Sequence, residues 1–357
     1  MRSRAARMTA GLLVCAAGGA LFAWIYSPLP WMIGAIVAMA VAQMAGAGFD
    51  VFPWGRNVGL VVVGTTLGLH FTSPVIHEVS SYWPWFVALG FVAIGFGALS
   101  GWVLSKLSGV DLATCYFGSM PGGASEMAMT GERHGAKTEL VAFAHSLRML
   151  LTVTLFPFAI TMAGFSASDD YRPITIAFDA PKLALLLAIG AACGWMARRI
   201  GMPTAYMIGS LLATTALTVR GVELSSVPHW LPSAAQVLLG AALGVRFDRS
   251  FLVKAPRFVA SLIPSIALTL TSAALVGWAL ARLSDVYLGT GLLACAPGGI
   301  AEMSITAQVL HMGVAFVTAA HAVRYIIVVL FTGLVFRHGG KLLGNRGQTP
   351  FSKAQND

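Results

Sequence analysis

The sequence predicts an all-α, multi-pass integral membrane protein built of two inverted repeats. Each repeat holds about five transmembrane helices plus a Pro-Gly-Gly element that is broken or re-entrant. Three observations carry this prediction. Hydrophobic residues make up 57% of the 357-residue chain and charged residues only 10%, whereas soluble domains carry about 25% charged residues. Apolar runs of about 20 residues, the length of a membrane-crossing helix, recur throughout. The stretch Ser119-Met120-Pro121-Gly122-Gly123-Ala124-Ser125-Glu126-Met127 returns, 176 residues later, as Ala296-Pro297-Gly298-Gly299-Ile300-Ala301-Glu302-Met303.

Apolar segments of the first half fall at about 8–26, 29–48, 57–71 and 83–107, followed by the broken stretch at 111–131 and a long segment at 137–165. Arg2, Arg4 and Arg7 ahead of the first run resemble the start of a signal peptide, but Val14 before Cys15 stands where a lipobox wants a small residue. The reading is an uncleaved first span with a cytoplasmic N-terminus. Residues 166–181, with Asp169, Asp170, Arg172, Pro173 and Asp179, form a polar linker. The second half repeats the series at 182–200, 203–220, 233–247, 257–283, 287–309 and 313–336. The chain thus divides into a first repeat at 1–165, the linker, a second repeat at 182–336 and a polar, mobile tail at 337–357.

The halves align beyond the Pro-Gly-Gly motif. Pro28 with Met32-Ile33-Gly34 matches Pro203 with Met207-Ile208-Gly209, and Gly64, Gly68 and Phe71 match Gly240, Gly244 and Phe247. Gly101-Trp102 matches Gly277-Trp278, and His145-x-x-Arg148 matches His321-x-x-Arg324, all at offsets of 175 or 176. Such constancy marks an internal duplication. Lys and Arg decide its sense, because cytoplasmic loops collect them and an odd number of crossings per half inverts the repeat. If each motif crosses, thirteen basic residues fall inside and eight outside. If each dips in and returns, seventeen fall inside and only Arg172, Lys182, Arg220 and Arg282 outside. Arg148 and Arg324 are left within the membrane in both counts. The second arrangement fits better and predicts ten spans with two re-entrant elements, although 57–71 and 233–247 are short for spans.

Several function classes are disfavoured. The net charge of +9 sits in short clusters between apolar runs, and no helix-turn-helix, finger or RNP pattern accompanies it, so no direct nucleic-acid partner is expected. Cys15, Cys115, Cys193 and Cys295 lie in apolar segments without a CxxC spacing. No Walker, GxSxG or Rossmann pattern occurs, so no cofactor and no catalytic residues are assigned. A metal site would have to be assembled across the halves from Glu126, His145, Glu302 and His321. The glycine-rich stretches 16–20 and 95–101 read as close-packing surfaces.

The candidate substrate- or ion-binding residues are Pro121, Gly122, Gly123, Glu126, His145 and Arg148, with Pro297, Gly298, Gly299, Glu302, His321 and Arg324. Irregular backbone survives at membrane depth only where protein or a water-filled cavity satisfies it. Each break should leave a short helix starting near Ala124 or Ile300, its free N–H groups facing the bend. Two readings stand for each charged pair. Glu126 and Glu302 either carry a proton or cation, or stabilise a helix N-terminus or pair with a buried Arg. Arg148 and Arg324 either hold an oxyanion or neutralise the motif Glu. His145 and His321 either relay protons or bond a carbonyl of the break.

The paired PGG-x-x-EM motifs, each followed by AH-x-x-R, resemble the AbrB membrane family over about residues 10–340, each half resembling one duplication module. Its inherited labels are ammonia monooxygenase and regulator of gene expression. The family shares its name with a small soluble DNA-binding regulator that this sequence does not resemble. The resemblance implies kinship with cation–proton antiporters and anion transporters. Isolated His residues speak against a monooxygenase, which needs clustered ligands. The expectation is a secondary transporter, not an enzyme, of a small solute, an organic anion among the candidates, coupled to protons or cations. It would lie in the inner (plasma) membrane with both termini cytoplasmic. A membrane sensor affecting gene expression indirectly is the alternative. Its partners would be the solute and the lipid bilayer, with homo-oligomerisation open.

Overall fold

The structure is a computed structural model that describes residues 4–165, 177–222, 224–247 and 255–342. Every described element is helical. The first half comprises α1 (Arg4–Trp24), α2 (Pro30–Met44), α3 (Gly55–Gly68), α4 (Ser73–Ser81), α5 (Trp83–Ser108), α6 (Leu112–Ser119), α7 (Ala124–Glu132) and α8 (Thr138–Met162). The second comprises α9 (Ala180–Arg199), α10 (Ala205–Val219), α11 (Trp230–Gly244), α12 (Pro256–Ser284), α13 (Leu288–Cys295), α14 (Ile300–Val309) and α15 (Val314–Leu342). Six of these, α1, α5, α8, α9, α12 and α15, are long and apolar enough to cross a membrane.

Local chemistry sets the boundaries. Pro30, Pro74, Pro84, Pro181 and Pro256 stand in first turns, where the missing N–H costs nothing. Gly109 ends α5 in the left-handed region, at φ 73°, as glycine does past a helix C-terminus. Asp111 caps α6 by accepting the Thr114 N–H at 2.7 Å, and Asp179 caps α9 through the Lys182 N–H at 3.1 Å.

Three expectations need correction. The ten predicted spans include four helices of 14 or 15 residues, α2, α3, α10 and α11. At 1.5 Å per residue these reach only about 21–23 Å, short of a bilayer core of about 30 Å. Of the four, α3 is buried along most of its length, whereas α2 and α10 keep Val41 and Leu212 exposed. The segment at 57–71 is not one continuous helix: α3 ends at Gly68 and the chain turns by 92° into α4, whose His77, Glu78, Ser80 and Ser81 are exposed. The tail does not begin at 337, since α15 runs on to Leu342. Arg337 and His338 there suit the negative end of a helix. Residues 166–176 of the linker and 343–357 of the tail lie outside the described residues.

Glycines set the helix crossings. A Cβ on Gly34 would strike the Gly18 carbonyl where α1 meets α2, and one on Gly209 would lie 2.6 Å from the Cys193 carbonyl where α9 meets α10. Gly64 and Gly68 of α3 press on Met207, Ser210, Leu211 and Thr214 of α10, while Gly240 and Gly244 of α11 press on Met32, Ala35, Ile36 and Met39 of α2. The third helix of each half therefore packs on the second helix of the other. Gly34→Val and Gly209→Val are each expected to cost about 1–3 kcal/mol through overpacking. This should appear as a lower melting midpoint in detergent, whereas unchanged midpoints would show slack at these crossings.

The two broken elements are hairpins. Were α6 and α7 collinear, Phe117 and Gly131 would stand about 21 Å apart, yet a Cβ on Gly131 would lie 3.2 Å from that of Phe117. The chain comes back to the level at which it set out, since the Lys137 N–H donates to Thr114 Oγ1 at 2.8 Å. In the second half Gly313, just before α15, meets Thr290 in the first turn of α13. The hairpins start from opposite ends of the molecule. Arg257 Nε donates to the Leu107 carbonyl at 3.1 Å, which sets the start of α12 beside the end of α5. The far end of α12 lies about 43 Å away along its axis, and there the second hairpin starts.

Candidate functional site

The tips of the hairpins meet in the middle. Pro121 and Pro297 line one small apolar cavity of about 40 Å³ between α5 and α12. On the other side of the tips lies a polar cavity of about 140 Å³, bordered by residues 121–126 and 298–302. It adjoins a wider vestibule of about 560 Å³ lined by Ser125, Thr138, Glu139, Ser146 and Arg246. The vestibule lies at the end of the molecule where α8 begins.

The motif has a spatial logic. Both second glycines are extended, Gly123 at φ −72° and Gly299 at φ −79°, so no left-handed backbone requires them. A Cβ on Gly122 would lie 2.9 Å from Met127, and one on Gly298 2.7 Å from Met303; both methionines are fully buried. A Cβ on Gly123 would strike the Glu126 carboxylate, and one on Gly299 that of Glu302. The first glycine thus makes room for the Met and the second for the Glu. Each Glu stands in the first turn of its half-helix and folds back over the N-terminus, where the helix dipole favours negative charge.

Arg148 and Arg324 hold the breaks. Helix ends leave carbonyls unpaired, and these guanidinium groups supply the donors. Arg148 Nη1 donates to the Met120 carbonyl at 2.8 Å, with a longer contact to Gly118 at 3.5 Å. Arg324 donates to the carbonyls of Ala296 at 2.7 Å, Gly298 at 2.9 Å and Cys295 at 3.3 Å. The paired histidines complete the clamp. His145 Nε2 lies 2.9 Å from the Phe117 carbonyl and His321 Nε2 2.8 Å from that of Leu293. Their Nδ1 atoms lie 2.9 Å and 2.7 Å from Arg148 Nη2 and Arg324 Nη2. A carbonyl only accepts and a guanidinium only donates, so Nε2 carries the proton and Nδ1 accepts. Both histidines are thereby neutral, and protonating Nδ1 would set one donor against another. This geometry favours the carbonyl-bonding reading of His145 and His321 over the relay.

The Glu–Arg pairing that the sequence allowed is absent: neither Arg148 nor Arg324 comes within 4.0 Å of a carboxylate among the described residues. Nor do those residues include three His, Cys, Asp or Glu side chains grouped to hold a metal ion. The hairpins instead exchange contacts across the halves. Tyr325, which follows Arg324, puts its hydroxyl 2.7 Å from the Cβ position of Gly123, beside Glu126, and Met149, which follows Arg148, sits 3.0 Å from that of Gly299. The twin carboxylates therefore differ. Glu126 has a phenol beside it and is half-buried, whereas Glu302 has a thioether and is 9% exposed.

Sequence reasoning missed Arg56, at the start of α3, and Arg246, just past α11, both lining the polar cavity. Each looked like a cytoplasmic anchor. A signal existed for Arg246: the duplicated Gly-x-x-Phe motif carries a basic residue before its Phe in both halves, His70 and Arg246.

Fold and site together define a class: an all-helical protein with membrane-length apolar helices arranged around two Pro-Gly-Gly hairpins, each clamped by a buried His-Arg pair. The family model described as transition state regulatory protein AbrB matches residues 31–339, and the chain belongs to the AbrB family. It is similar to "Uncharacterized protein YhjN" of Bacillus subtilis (strain 168), 29% identical, covering 92% of this chain and 94% of that one. It is also similar to "Putative regulator AbrB" of Escherichia coli (strain K12), 24% identical, covering 87% and 90%.

Proposed function

We propose that the chain is a secondary transporter, not an enzyme, that moves a small solute coupled to protons or cations by alternating access. The observation that carries this reading is the meeting of two hairpins, rising from opposite ends, at one polar cavity that holds an ionisable group from each. Half-helix ends facing each other at mid-depth are how transporters of this type build a solute site. The opposed directions of α5 and α12, and of the two hairpins, support two inverted repeats of five helices, with each hairpin re-entrant. The vestibule would face the cytoplasm: Lys106, Arg133, Lys137, Arg246 and Arg257 cluster at that end, as the positive-inside bias requires. On this reading both termini lie in the cytoplasm, the protein belongs to the plasma membrane, and no direct nucleic-acid partner is expected.

The word regulator in one relative's name favours a second reading, a sensor that binds a ligand without moving it. Two-sided labelling separates the two. Ser125 lines both the cavity and the vestibule. In Cys193→Ser protein, with Cys15, Cys115 and Cys295 buried, Ser125→Cys should react with a membrane-impermeant maleimide from either face of a proteoliposome. Labelling from one face alone, in every ligand tried, would favour the sensor.

A further inference from the structure

Resting on the reading of the cavity as a solute site, we infer that its ligand is a small carboxylate anion, held by Arg56 and Arg246. The argument begins with what each charge in the cavity already does. Glu126 and Glu302 each cover the N-terminus of their own half-helix, where the dipole supplies about half a positive charge, and the remainder acts on Arg246. Arg324 is engaged by carbonyls of its break and by His321. That leaves Arg56 and Arg246. Among the described residues no carboxylate lies within 4.0 Å of either; the two guanidinium groups repel each other, while Glu302 and Glu126 attract Arg246 from a longer range. Arg56 stands at the start of α3 and Arg246 just past α11, and these helices pack together with Gly59 against Ala235 and Leu239.

Three arginines, Arg56, Arg246 and Arg324, line the cavity against two carboxylates, Glu126 and Glu302, so the lining carries an excess of positive charge that suits an anion, and the planar guanidinium fork matches a carboxylate bidentately. A cation would meet these arginines first and then find both carboxylates turned toward helix N-termini. Size narrows the class. The cavity of about 140 Å³ has room for a small anion such as acetate or succinate, and it opens into the vestibule through Ser125, Ser146 and Arg246. Ser125, Thr204 and the Tyr325 hydroxyl also line the cavity and offer neutral donors to a second oxygen pair.

The arrangement also connects the ligand to both halves of the chain. Arg56 belongs to the first and Arg246 to the second, so the anion would sit at the seam where α3 of one half packs against α11 of the other. A bound anion would offset their repulsion and favour the state seen here.

The test is equilibrium binding of succinate and acetate to the purified full-length protein, at constant ionic strength, with methylammonium as the cationic control. Succinate should bind and raise the melting midpoint. Arg56→Gln and Arg246→Gln should each weaken it by about tenfold or more, while Arg56→Lys and Arg246→Lys keep part of the affinity. Binding of methylammonium in place of succinate, or succinate affinity unchanged in both Gln variants, overturns the inference. Melting of the ligand-free variants shows whether a loss comes from misfolding; if the Gln variants do not fold, the Lys pair carries the test, and unchanged affinity there also counts against it. The transport reading fails separately. Succinate binding with one-sided labelling of Ser125→Cys keeps the anion site and sinks transport, whereas two-sided labelling without carboxylate binding does the reverse.

Discussion

Arg148→Ala and Arg324→Ala are expected to yield little or no folded protein. Arg324 is 4% exposed and donates to three carbonyls and to His321 Nδ1. Arg148 is 2% exposed and serves Met120, Gly118 and His145 in the same way. Truncation strands several buried acceptors at once, each at a cost of about 1–3 kcal/mol. Three or four together approach the whole stability of a typical domain, about 5–15 kcal/mol. Arg→Lys should rescue poorly, because one ammonium cannot span acceptors that a fork reaches from two nitrogens. The comparison is with Arg56→Gln and Arg246→Gln, whose side chains border open cavity and should fold normally. The measurement is the monodisperse fraction on size exclusion and the melting midpoint in detergent. If Arg148→Ala and Arg324→Ala both melt within a few degrees of wild type, the clamp is not what keeps the breaks in shape.

That clamp shows where sequence reasoning reaches and where it stops. Apolar length alone placed the long helices well: 83–107 became Trp83–Ser108 and 257–283 became Pro256–Ser284. The half-helices begin at Ala124 and Ile300, where the Pro-Gly-Gly chemistry put them. The pairing of His145 with Arg148 was visible as a spacing of three on one helical face. What that face would touch was not visible, because an Arg beside a Glu motif satisfies a carboxylate and a carbonyl equally well on paper. Only the hairpin geometry, which turns the C-terminal carbonyls of α6 and α13 toward α8 and α15, decides between them. Arg56 was illegible for a different reason, and Arg246 was marked only by its place in the duplicated Gly-x-x-Phe motif. Basic residues at span ends are the norm in membrane proteins, and nothing local separates an anchor from a residue that lines a cavity. The bend between α3 and α4 was also hidden, since Phe71 continues an apolar run that the chain in fact leaves at Leu69.

Gly299→Ala is expected to behave as a functional copy of Glu302→Gln while remaining folded, and this is the sharpest test of the motif. The backbone of Gly299, at φ −79° and ψ 162°, is open to any L-residue, so alanine brings no conformational strain. Its methyl would occupy the space taken by the Glu302 carboxylate and approach Met149 at 3.0 Å. The carboxylate must therefore swing off the helix N-terminus, forfeiting about 0.3–1 kcal/mol of dipole interaction. That loss is small beside the loss predicted for Arg324→Ala, so the protein should stay folded. Function should suffer much more. With Glu302 displaced, succinate-driven proton uptake into proteoliposomes should fall on the order of tenfold or more, as in Glu302→Gln. Because both substitutions act through one carboxylate, Gly299→Ala combined with Glu302→Gln should be no worse than Glu302→Gln alone. Gly123→Ala should displace Glu126 in the same way and push the Tyr325 hydroxyl, 2.7 Å from that Cβ position, with it; the effect should be milder because Glu126 is half-buried. Full uptake in folded Gly299→Ala protein would mean that the position of the carboxylate does not matter. Collapse of the variant to the level of Arg324→Ala would mean that the glycine serves the backbone instead of the glutamate.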